Sequence, residues 1–145
     1  MFKLSKKADY GLIALRHLAM NNHQAAASSG DIADLYGISA PLMAKVLQKL
    51  AREGLLQARH GSSGGYVLAK DPANITALEA ISAIEGPVMI TSCNTHRGEC
   101  DHAEQCTVRE PLRRVNDSIL HVLGMVTISQ MTEERGTSGL VELGV

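Results

Sequence analysis

The sequence predicts a mainly α-helical fold with one small β-hairpin and a long C-terminal helix. In several segments of the 145-residue chain, apolar residues recur three and four positions apart, which is the spacing of an amphipathic helix. Two short strand-like runs, LLQAR and YVLAK, flank the stretch HGSSGG, which indicates a hairpin with a flexible glycine-rich tip. The length suits one domain, or a small domain with an appendage.

Three helices are predicted before the hairpin. The first covers 6–20, the second 31–36 and the third 40–52, with the small-residue linker QAAASSG between the first two. Gly37 ends the second helix, and Ser39 is expected to cap the third. Two helices joined by a tight turn that contains glycine are typical of a helix-turn-helix.

The order helix, turn, helix, hairpin is that of a winged helix-turn-helix, with HGSSGG as the tip of the wing. The third helix is expected to expose a polar and basic face, either as a solvated surface or as groups presented to a DNA groove: Lys45, Gln48, Lys49 and Arg52. A nucleotide-binding glycine loop is the competing interpretation of HGSSGG. The chain, however, contains neither GxGxxG nor GxxxxGKS/T.

The second half of the chain predicts a short helix, a loop and a long helix. A capping box of Thr76 and Glu79 opens the short helix, and Gly86 ends it. A second capping box is expected at 107–110, and it is followed by apolar positions three and four apart, at 112, 115, 119, 122 and 126. This seam either packs on its own domain or, as we predict, forms a dimerisation arm. A short helix in TISQM closes the fold.

These elements divide the chain into a winged helix-turn-helix domain at 1–86, a cysteine loop at 87–106, a dimerisation helix at 107–131 and a disordered tail at 132–145. Net charge also differs between the two halves of the chain. Residues 1–70 carry nine Lys and Arg against four Asp and Glu, a net charge of +5, whereas 71–145 carry five against eleven, a net charge of −6. The basic half is therefore suited to face a polyanion.

All three cysteines lie in one fourteen-residue stretch, CNTHRGECDHAEQC, together with two of the six histidines. The N-terminus has no apolar run typical of a signal peptide, and no stretch approaches the roughly 20 apolar residues of a membrane span. We therefore expect a cytoplasmic protein with reduced thiols. An odd number of cysteines argues against a disulfide framework, so the stretch predicts metal binding or redox chemistry.

The spacing of the cysteines favours a metal cluster over a single zinc ion. Six and five residues separate Cys93, Cys100 and Cys106, whereas structural zinc sites usually contain a pair only two to four residues apart. Iron-sulfur clusters are also held by cysteine thiolates, and a wide loop can wrap a larger object. Candidates for a fourth ligand are a residue brought across a dimer or one of the loop side chains His102, His96, Glu99 and Glu104. A catalytic cysteine activated by a loop histidine is the enzyme alternative, but the sequence identifies neither an orienting third group nor a pocket.

Six features then occur in a fixed order: the opening LSKKADYGLIAL, IADLYGIS, LAREGLL, GGYVLAKD, ITALEAISAIEG and the three-cysteine loop. Over about residues 1–132 they resemble the Rrf-two family of iron-sulfur transcription regulators, of the IscR and NsrR type. The resemblance implies a homodimeric winged-helix protein that binds an operator in double-stranded DNA and is not an enzyme. The opening and the phrase ALEAISAIEG are most similar to regulators of the SUF operon, which implies a repressor of cluster-assembly genes.

The resemblance also implies an iron-sulfur cluster, of 2Fe-2S or 4Fe-4S type, that is held by Cys93, Cys100 and Cys106. IscR-type members complete the site with a histidine three residues after the last cysteine, a place that Arg109 occupies here. NsrR-type members use an aspartate in the first helix of the partner subunit, and the matching residue here is Asp9. Asp9 is therefore the first choice for the fourth ligand, and His102 is the second.

The DNA contacts are predicted to come from the opening of the chain, the third helix and the wing: Lys3, Ser5, Lys6, Ser39, Pro41, Lys45, Lys49, Arg59, His60, Ser62, Ser63 and Tyr66. The wing has GSSGG where many relatives have a proline-containing tip, so the operator sequence is not carried over. The main hypothesis is a cluster-dependent repressor that senses redox state or nitric oxide. One alternative is a winged-helix regulator that uses the same cysteines for zinc or for direct thiol oxidation. An electron carrier is the other, and a helix-turn-helix with a wing argues against it.

Overall fold

The computed structural model describes residues 3–22, 25–90 and 105–133. Most of the predicted cysteine loop, at 91–104, and the predicted tail beyond residue 133 lie outside the described residues. The elements, in chain order, are α1 Lys6–Met20, α2 Ser29–Tyr36, α3 Ala40–Arg52, β1 Leu56–Arg59, β2 Gly65–Leu68, a 3-10 turn Pro72–Asn74, α4 Ala77–Glu85, α5 Arg109–Met125 and α6 Ile128–Thr132. The mainly helical fold with one hairpin wing is confirmed.

The helix-turn-helix is formed by α2 and α3. Helix α2 begins two residues earlier than predicted because Ser28 Oγ accepts the N–H of Asp31 at 3.1 Å and caps it. Gly37 then takes the left-handed conformation, with φ of 66°, and the N–H of Ile38 donates to the carbonyl of Ala33 at 2.9 Å. This closes α2 with the hydrogen bond of a Schellman turn and directs the chain into α3.

Ser39 occupies the N-cap position of α3, but its side chain makes no capping hydrogen bond. The predicted N-cap position is therefore confirmed, but the hydroxyl of Ser39 does not stabilise it with a hydrogen bond. Pro41, in the first turn of α3, has no N–H and reduces the number of unpaired donors at this end. The hydroxyl of Ser39 is exposed at the start of the helix.

The wing is an antiparallel hairpin in which Leu56 pairs with Leu68 and Arg59 pairs with Gly65. Ala27 pairs with Tyr66 on the other side of β2. The N–H of Ala27 donates to the carbonyl of Tyr66 at 3.2 Å, and the N–H of Tyr66 donates to the carbonyl of Ala27 at 2.8 Å. A β-carbon at Gly65 would collide with the backbone of Ala27, so this close approach requires glycine. The stretch that the sequence predicted as a linker thus anchors the wing to the domain.

The core lies between α1, α3 and α4. Its largest fully buried side chains are Leu15, Ile32, Met43, Val46, Leu47, Leu50, Ile75 and Ile128. A β-carbon at Gly11 would collide with the side chain of Ile84, so glycine lets α1 pack closely on α4. Because Ile128 of α6 is fully buried in the same cluster, the C-terminal helix belongs to this core.

The predicted capping box of Thr76 and Glu79 is present at the start of α4. The one expected at 107–110 is wrong: α5 begins at Arg109, with Val108 at its N-cap and no side-chain hydrogen bond there. The predicted TISQM helix is confirmed as α6, which Thr127 and Gln130 open with a capping box of their own.

Two backbone hydrogen bonds fix the junction between α5 and α6. The N–H of Ala77 donates to the carbonyl of Val126 at 2.8 Å, and the N–H of Ile128 donates to the carbonyl of Ile75 at 2.9 Å. The C-terminal end of α5 is thereby held against the start of α4. No helix within the described ranges is long and apolar enough to cross a membrane.

Candidate DNA interface and metal centre

Helix α3 separates an apolar face from a basic one. The buried face consists of Met43, Val46, Leu47 and Leu50. The exposed side chains of the helix are Ala40, Pro41, Lys45, Gln48, Lys49 and Arg52. The first face attaches the helix to the core, so the second is presented to the surroundings, as a recognition helix requires.

The wing presents a second set of polar groups. Arg59, His60, Ser62 and Ser63 are all exposed, at the end of β1 and in the tip. In the tip, the N–H of Gly64 donates to the carbonyl of Gly61 at 3.0 Å, and a β-carbon at Gly64 would collide with the backbone of Arg59 and Gly61. The tip is therefore a tight turn whose exposed atoms are hydroxyl, imidazole and backbone groups, which suit contact with phosphate or a minor groove.

Three of the predicted DNA-binding side chains have intramolecular partners. Ser5 Oγ accepts the N–H of Ala8 at 3.1 Å as the cap of α1, and it also donates to Glu85. Tyr66 is half-buried against the core. Lys49 Nζ donates to the carbonyl of Ile84 at 3.0 Å.

The remaining predicted cations are available for an external anion. Lys3, Lys6, Lys45 and Arg59 are exposed. The salt bridges found within the described part of the chain join Lys70 to Glu79, and Arg113 and Arg114 to Glu110. No predicted DNA-contacting cation takes part in one of them. These positive charges are therefore not neutralised by a carboxylate of the described chain, and they can attract phosphates.

The predicted metal ligands are only partly described. Cys106 is a free, half-exposed thiol three residues before α5, and Asp9 is exposed in the first turn of α1. Cys93, Cys100 and His102 lie outside the described residues. Within the described ranges no three potential ligands lie together. The side chains of Cys106 and Asp9 are thus accessible to groups from the rest of the loop or from a second chain.

Helix α5 carries an apolar groove that is lined by its own side chains. The groove has a volume of about 450 Å³ and is lined by Arg114, Val115, Ser118, Ile119, Val122 and Leu123. Val115 and Val122 belong to the predicted seam, and they remain 47% and 46% exposed. Side chains of this kind are rarely left in water in a coiled-coil-like row, so the groove suits a partner surface.

Asn116 is a buried polar residue of α5 that the sequence analysis did not predict. Asn116, on α5, is 5% exposed, and its Oδ1 accepts the N–H of Ile90 at 3.1 Å. Ile90 is the last described residue before the cysteines. The available sequence signal is a short amide residue within the apolar seam, next to Val115. Such a residue in a half-buried helix face usually has a buried hydrogen-bond partner.

Comparison with known proteins gives a consistent result. The Rrf2 family, described as "Iron-dependent Transcriptional regulator", matches residues 4–134. The transcriptional regulator IscR of Escherichia coli O1:K1 / APEC is 27% identical over 133 residues, which are 92% of this chain and 82% of IscR.

Solved structures of CymR and IscR are also similar to this chain. CymR (YrzC), the global cysteine regulator of B. subtilis, is 30% identical with a TM-score of 0.77, and the match covers 91% of this chain and 97% of CymR. IscR of T. potens is 25% identical with a TM-score of 0.72, over 93% of this chain and 94% of that one. The match to each structure includes nearly the whole of both chains.

Proposed function

This chain belongs to the Rrf2 family of transcriptional regulators, and on that basis we propose that it is a homodimeric repressor whose operator affinity is controlled by an iron-sulfur cluster. The observation that carries the proposal is the exposed basic face on α3 and the wing, in a chain whose three cysteines precede α5 in the sequence. The same proposal places it in the cytoplasm, together with its DNA.

DNA is expected to meet α3 and the wing together. In this arrangement α3 enters a major groove while the wing tip contacts the neighbouring backbone or minor groove. Each of the two elements carries an exposed cation for this contact: Lys45 lies on α3, and Arg59 lies on the wing. The operator is expected to have two half-sites related by two-fold symmetry, because the proposed dimer does.

The second copy is expected to pack on the α5 groove. Val115 and Val122 are seven residues apart, so they lie on one line along the helix. An antiparallel or crossed copy of the same helix would cover both, and an interface of this kind is isologous. The exposed apolar face is what supports this choice of partner.

The cluster ligands proposed are Cys93, Cys100 and Cys106 with Asp9 of the partner subunit, and His102 is the alternative to the aspartate. The donor set fits, since thiolates hold iron-sulfur clusters and a single carboxylate leaves one weaker position. The half-exposed thiol of Cys106 and the exposed carboxylate of Asp9 are both accessible for ligation. Bound there, the cluster would supply one-electron and ligand-exchange chemistry, and a change in it would alter the ties between the loop and the dimer.

Anaerobic purification tests the proposal. A coloured protein with iron and acid-labile sulfide, whose operator affinity differs between the cluster-loaded and cluster-free forms, is the expected result. A coupling of about 1 to 3 kcal/mol corresponds to a difference of roughly 5- to 150-fold in affinity. A colourless protein that binds its operator equally well before and after iron and sulfide reconstitution would overturn it.

A second candidate uses the same cysteines without a cluster, through zinc or direct oxidation of thiols. The observation that favours it is the similarity to CymR, a cysteine regulator, which at 30% identity is as high as the similarity to IscR. Stoichiometric zinc, or an operator affinity that responds to peroxide and is restored by a dithiol in metal-free protein, would identify this function.

A further inference from the structure

The N-terminal segment, α4 and α5 line a cleft that has no part in the proposed function. Its volume is about 510 Å³, within the range of about 300 to 1,000 Å³ that small-ligand sites in proteins occupy. Its apolar lining includes Leu4, Ile81, Val88, Met89, Ile90 and Leu123. Three polar side chains, Lys3, Ser5 and Glu85, line it as well. The cleft therefore combines apolar surface with a few polar groups, as small-molecule sites do.

Two hydrogen bonds hold the walls of this cleft together. Ser5, the N-cap of α1, donates its hydroxyl proton to the carboxylate of Glu85, the last residue of α4. The N–H of Ile90 donates to Oδ1 of Asn116, on α5, at 3.1 Å. Each bond joins segments that are far apart in the sequence, so the cleft is formed before a ligand arrives. Little of the binding free energy is then lost in ordering the site.

Two opposite charges line this cleft without pairing with each other. Lys3 and Glu85 are both exposed. The salt bridges found in the described part of the chain include neither of them. Ser5 uses one acceptor position of the Glu85 carboxylate, and an ionised carboxylate has about four. The cleft thus offers a cation to a carboxylate and a carboxylate to an ammonium group.

We propose that this cleft binds a small zwitterion with an apolar body, whose carboxylate pairs with Lys3 and whose ammonium group pairs with Glu85. The apolar body packs against Ile81, Val88 and Leu123. A purely anionic ligand would meet the carboxylate of Glu85, and a purely cationic ligand would meet the ammonium group of Lys3, so repulsion between like charges favours the zwitterion. Free apolar amino acids and short apolar peptides share this chemistry.

Calorimetric titration of the full chain with four compounds tests the class of ligand. L-leucine and L-leucyl-L-leucine carry both charges, N-acetyl-L-leucine lacks the ammonium group, and L-leucinamide lacks the carboxylate. Both zwitterions should bind. Each compound with a single charge should bind about tenfold or more weakly than leucine, because it loses one hydrogen bond between charged groups. The zwitterion that binds more tightly shows whether the source is a free amino acid or a peptide.

Two variants assign the two charges. Lys3→Met keeps the alkyl stem and removes the cation, so it should lose the preference for leucine over leucinamide. Glu85→Gln keeps an acceptor for Ser5 and removes the anion, so it should lose the preference for leucine over N-acetyl-leucine. Lys7→Met and Glu53→Gln are the matched controls, because both side chains are exposed and neither lines the cleft. They should keep the wild-type preferences.

Val88→Trp places a larger side chain in the cleft and should abolish binding of both zwitterions. Val88→Phe replaces it if Val88→Trp does not fold by circular dichroism. Binding that survives the substitution lies elsewhere on the protein and rejects the site. A rise in the dimer Kd of the same variant also rejects it, since a second copy then occupies the cleft. Wild-type protein that binds neither zwitterion, by calorimetry and by an unchanged Tm in their presence, would overturn the proposal.

Discussion

The ammonium group of Lys49 lies 3.0 Å from the carbonyl oxygen of Ile84, so a side chain of α3, the proposed recognition helix, caps the C-terminal end of α4. Carbonyls in the last turn of a helix have no partner within the helix, and a cation there also interacts favourably with the helix dipole. The contact joins α3, which is proposed to bind DNA, to Ile84, which lies six residues before Ile90.

Replacing Lys49 by Met should therefore lower the free energy of unfolding. A hydrogen bond from a charged group contributes about 1.5 to 3 kcal/mol, and partial exposure should reduce this to about 1 kcal/mol. Urea denaturation measures the change. Lys45→Met is the matched control, because Lys45 is exposed one turn earlier on α3 and has no hydrogen bond within the described part of the chain. Equal effects of both substitutions on stability would contradict a capping role for Lys49.

Substitution of Lys45 or Arg59 by Ala should weaken operator binding and reduce its dependence on salt. Each phosphate contact that is lost should lower the slope of log affinity against log salt concentration by about 0.9. Fluorescence anisotropy over a range of salt concentrations measures both quantities. Arg113→Ala removes another exposed charge, from α5, where it pairs with Glu110, and should leave the slope unchanged. If neither Lys45→Ala nor Arg59→Ala changes the slope, these two residues do not contact phosphate.

Introducing Glu at Val115 and Val122 together should prevent dimerisation. Burial of two carboxylates in the apolar groove would cost about 3 kcal/mol or more, which corresponds to a rise of at least roughly 100-fold in the dimer Kd. Sedimentation equilibrium measures it. His121→Glu is the control on the same helix, because His121 is exposed and does not line the groove. A double variant that remains as dimeric as wild type would show that another surface forms the dimer.

Asp9→Ala should shorten the lifetime of the reconstituted cluster while the cluster-free protein still folds. The carboxylate is exposed, so its loss should cost only the helix-dipole term, about 0.3 to 1 kcal/mol. Visible absorbance after transfer to air gives the lifetime. Asp117→Ala, at an exposed position of α5, supplies the comparison. If the Asp9 variant loses its cluster no faster than wild type, the fourth position belongs to His102 or to a small ligand.

Acid should destabilise the fold through His17. Burial lowers the pKa of His17 below its ordinary value of 6.5, and its Nδ1 lies 3.0 Å from the Tyr36 hydroxyl. The folded protein thus binds this proton less readily than the unfolded chain does, so the free energy of unfolding falls as the pH drops below about 6.5. His17→Gln should remove this part of the pH dependence, and His121→Gln, at an exposed position, should not. Urea denaturation at about pH 5 and about pH 7.5 measures the difference.

Strong local patterns made α1 and α3 predictable. In both helices the apolar residues are spaced for one buried face, so both observed ranges agree with the expected ones. The glycine turn between α2 and α3 was predictable for the same reason, since Gly37 needs no long-range partner to adopt a left-handed conformation.

Pairings between distant segments were not predictable in this way. The alanine- and serine-rich run at 25–29 shows no alternation of apolar and polar residues, yet Ala27 pairs with Tyr66 in the wing. The hydrogen bond from Ile90 to Asn116 spans 26 residues and depends on how α5 lies on α4. A helical period identifies which residues share a face, but it does not identify the backbone group that will meet a given polar side chain.

The two backbone hydrogen bonds at the junction of α5 and α6 would make each subunit of the proposed dimer rotate as a rigid unit about the α5 contact. Since Val126 is held to Ala77, the first residue of α4, and Ile128 is held to Ile75 just before it, the end of α5 is fixed to the DNA-binding domain. A rotation at the α5 contact would therefore be carried to α3. With half-sites about 34 Å apart, each α3 lies roughly 17 Å from the two-fold axis, so a rotation of about 5° moves it about 1.5 Å. In the proposed dimer, a displacement of that size would break hydrogen bonds to one groove, so a small change at the helix contact would be enough to release the operator without unfolding any element.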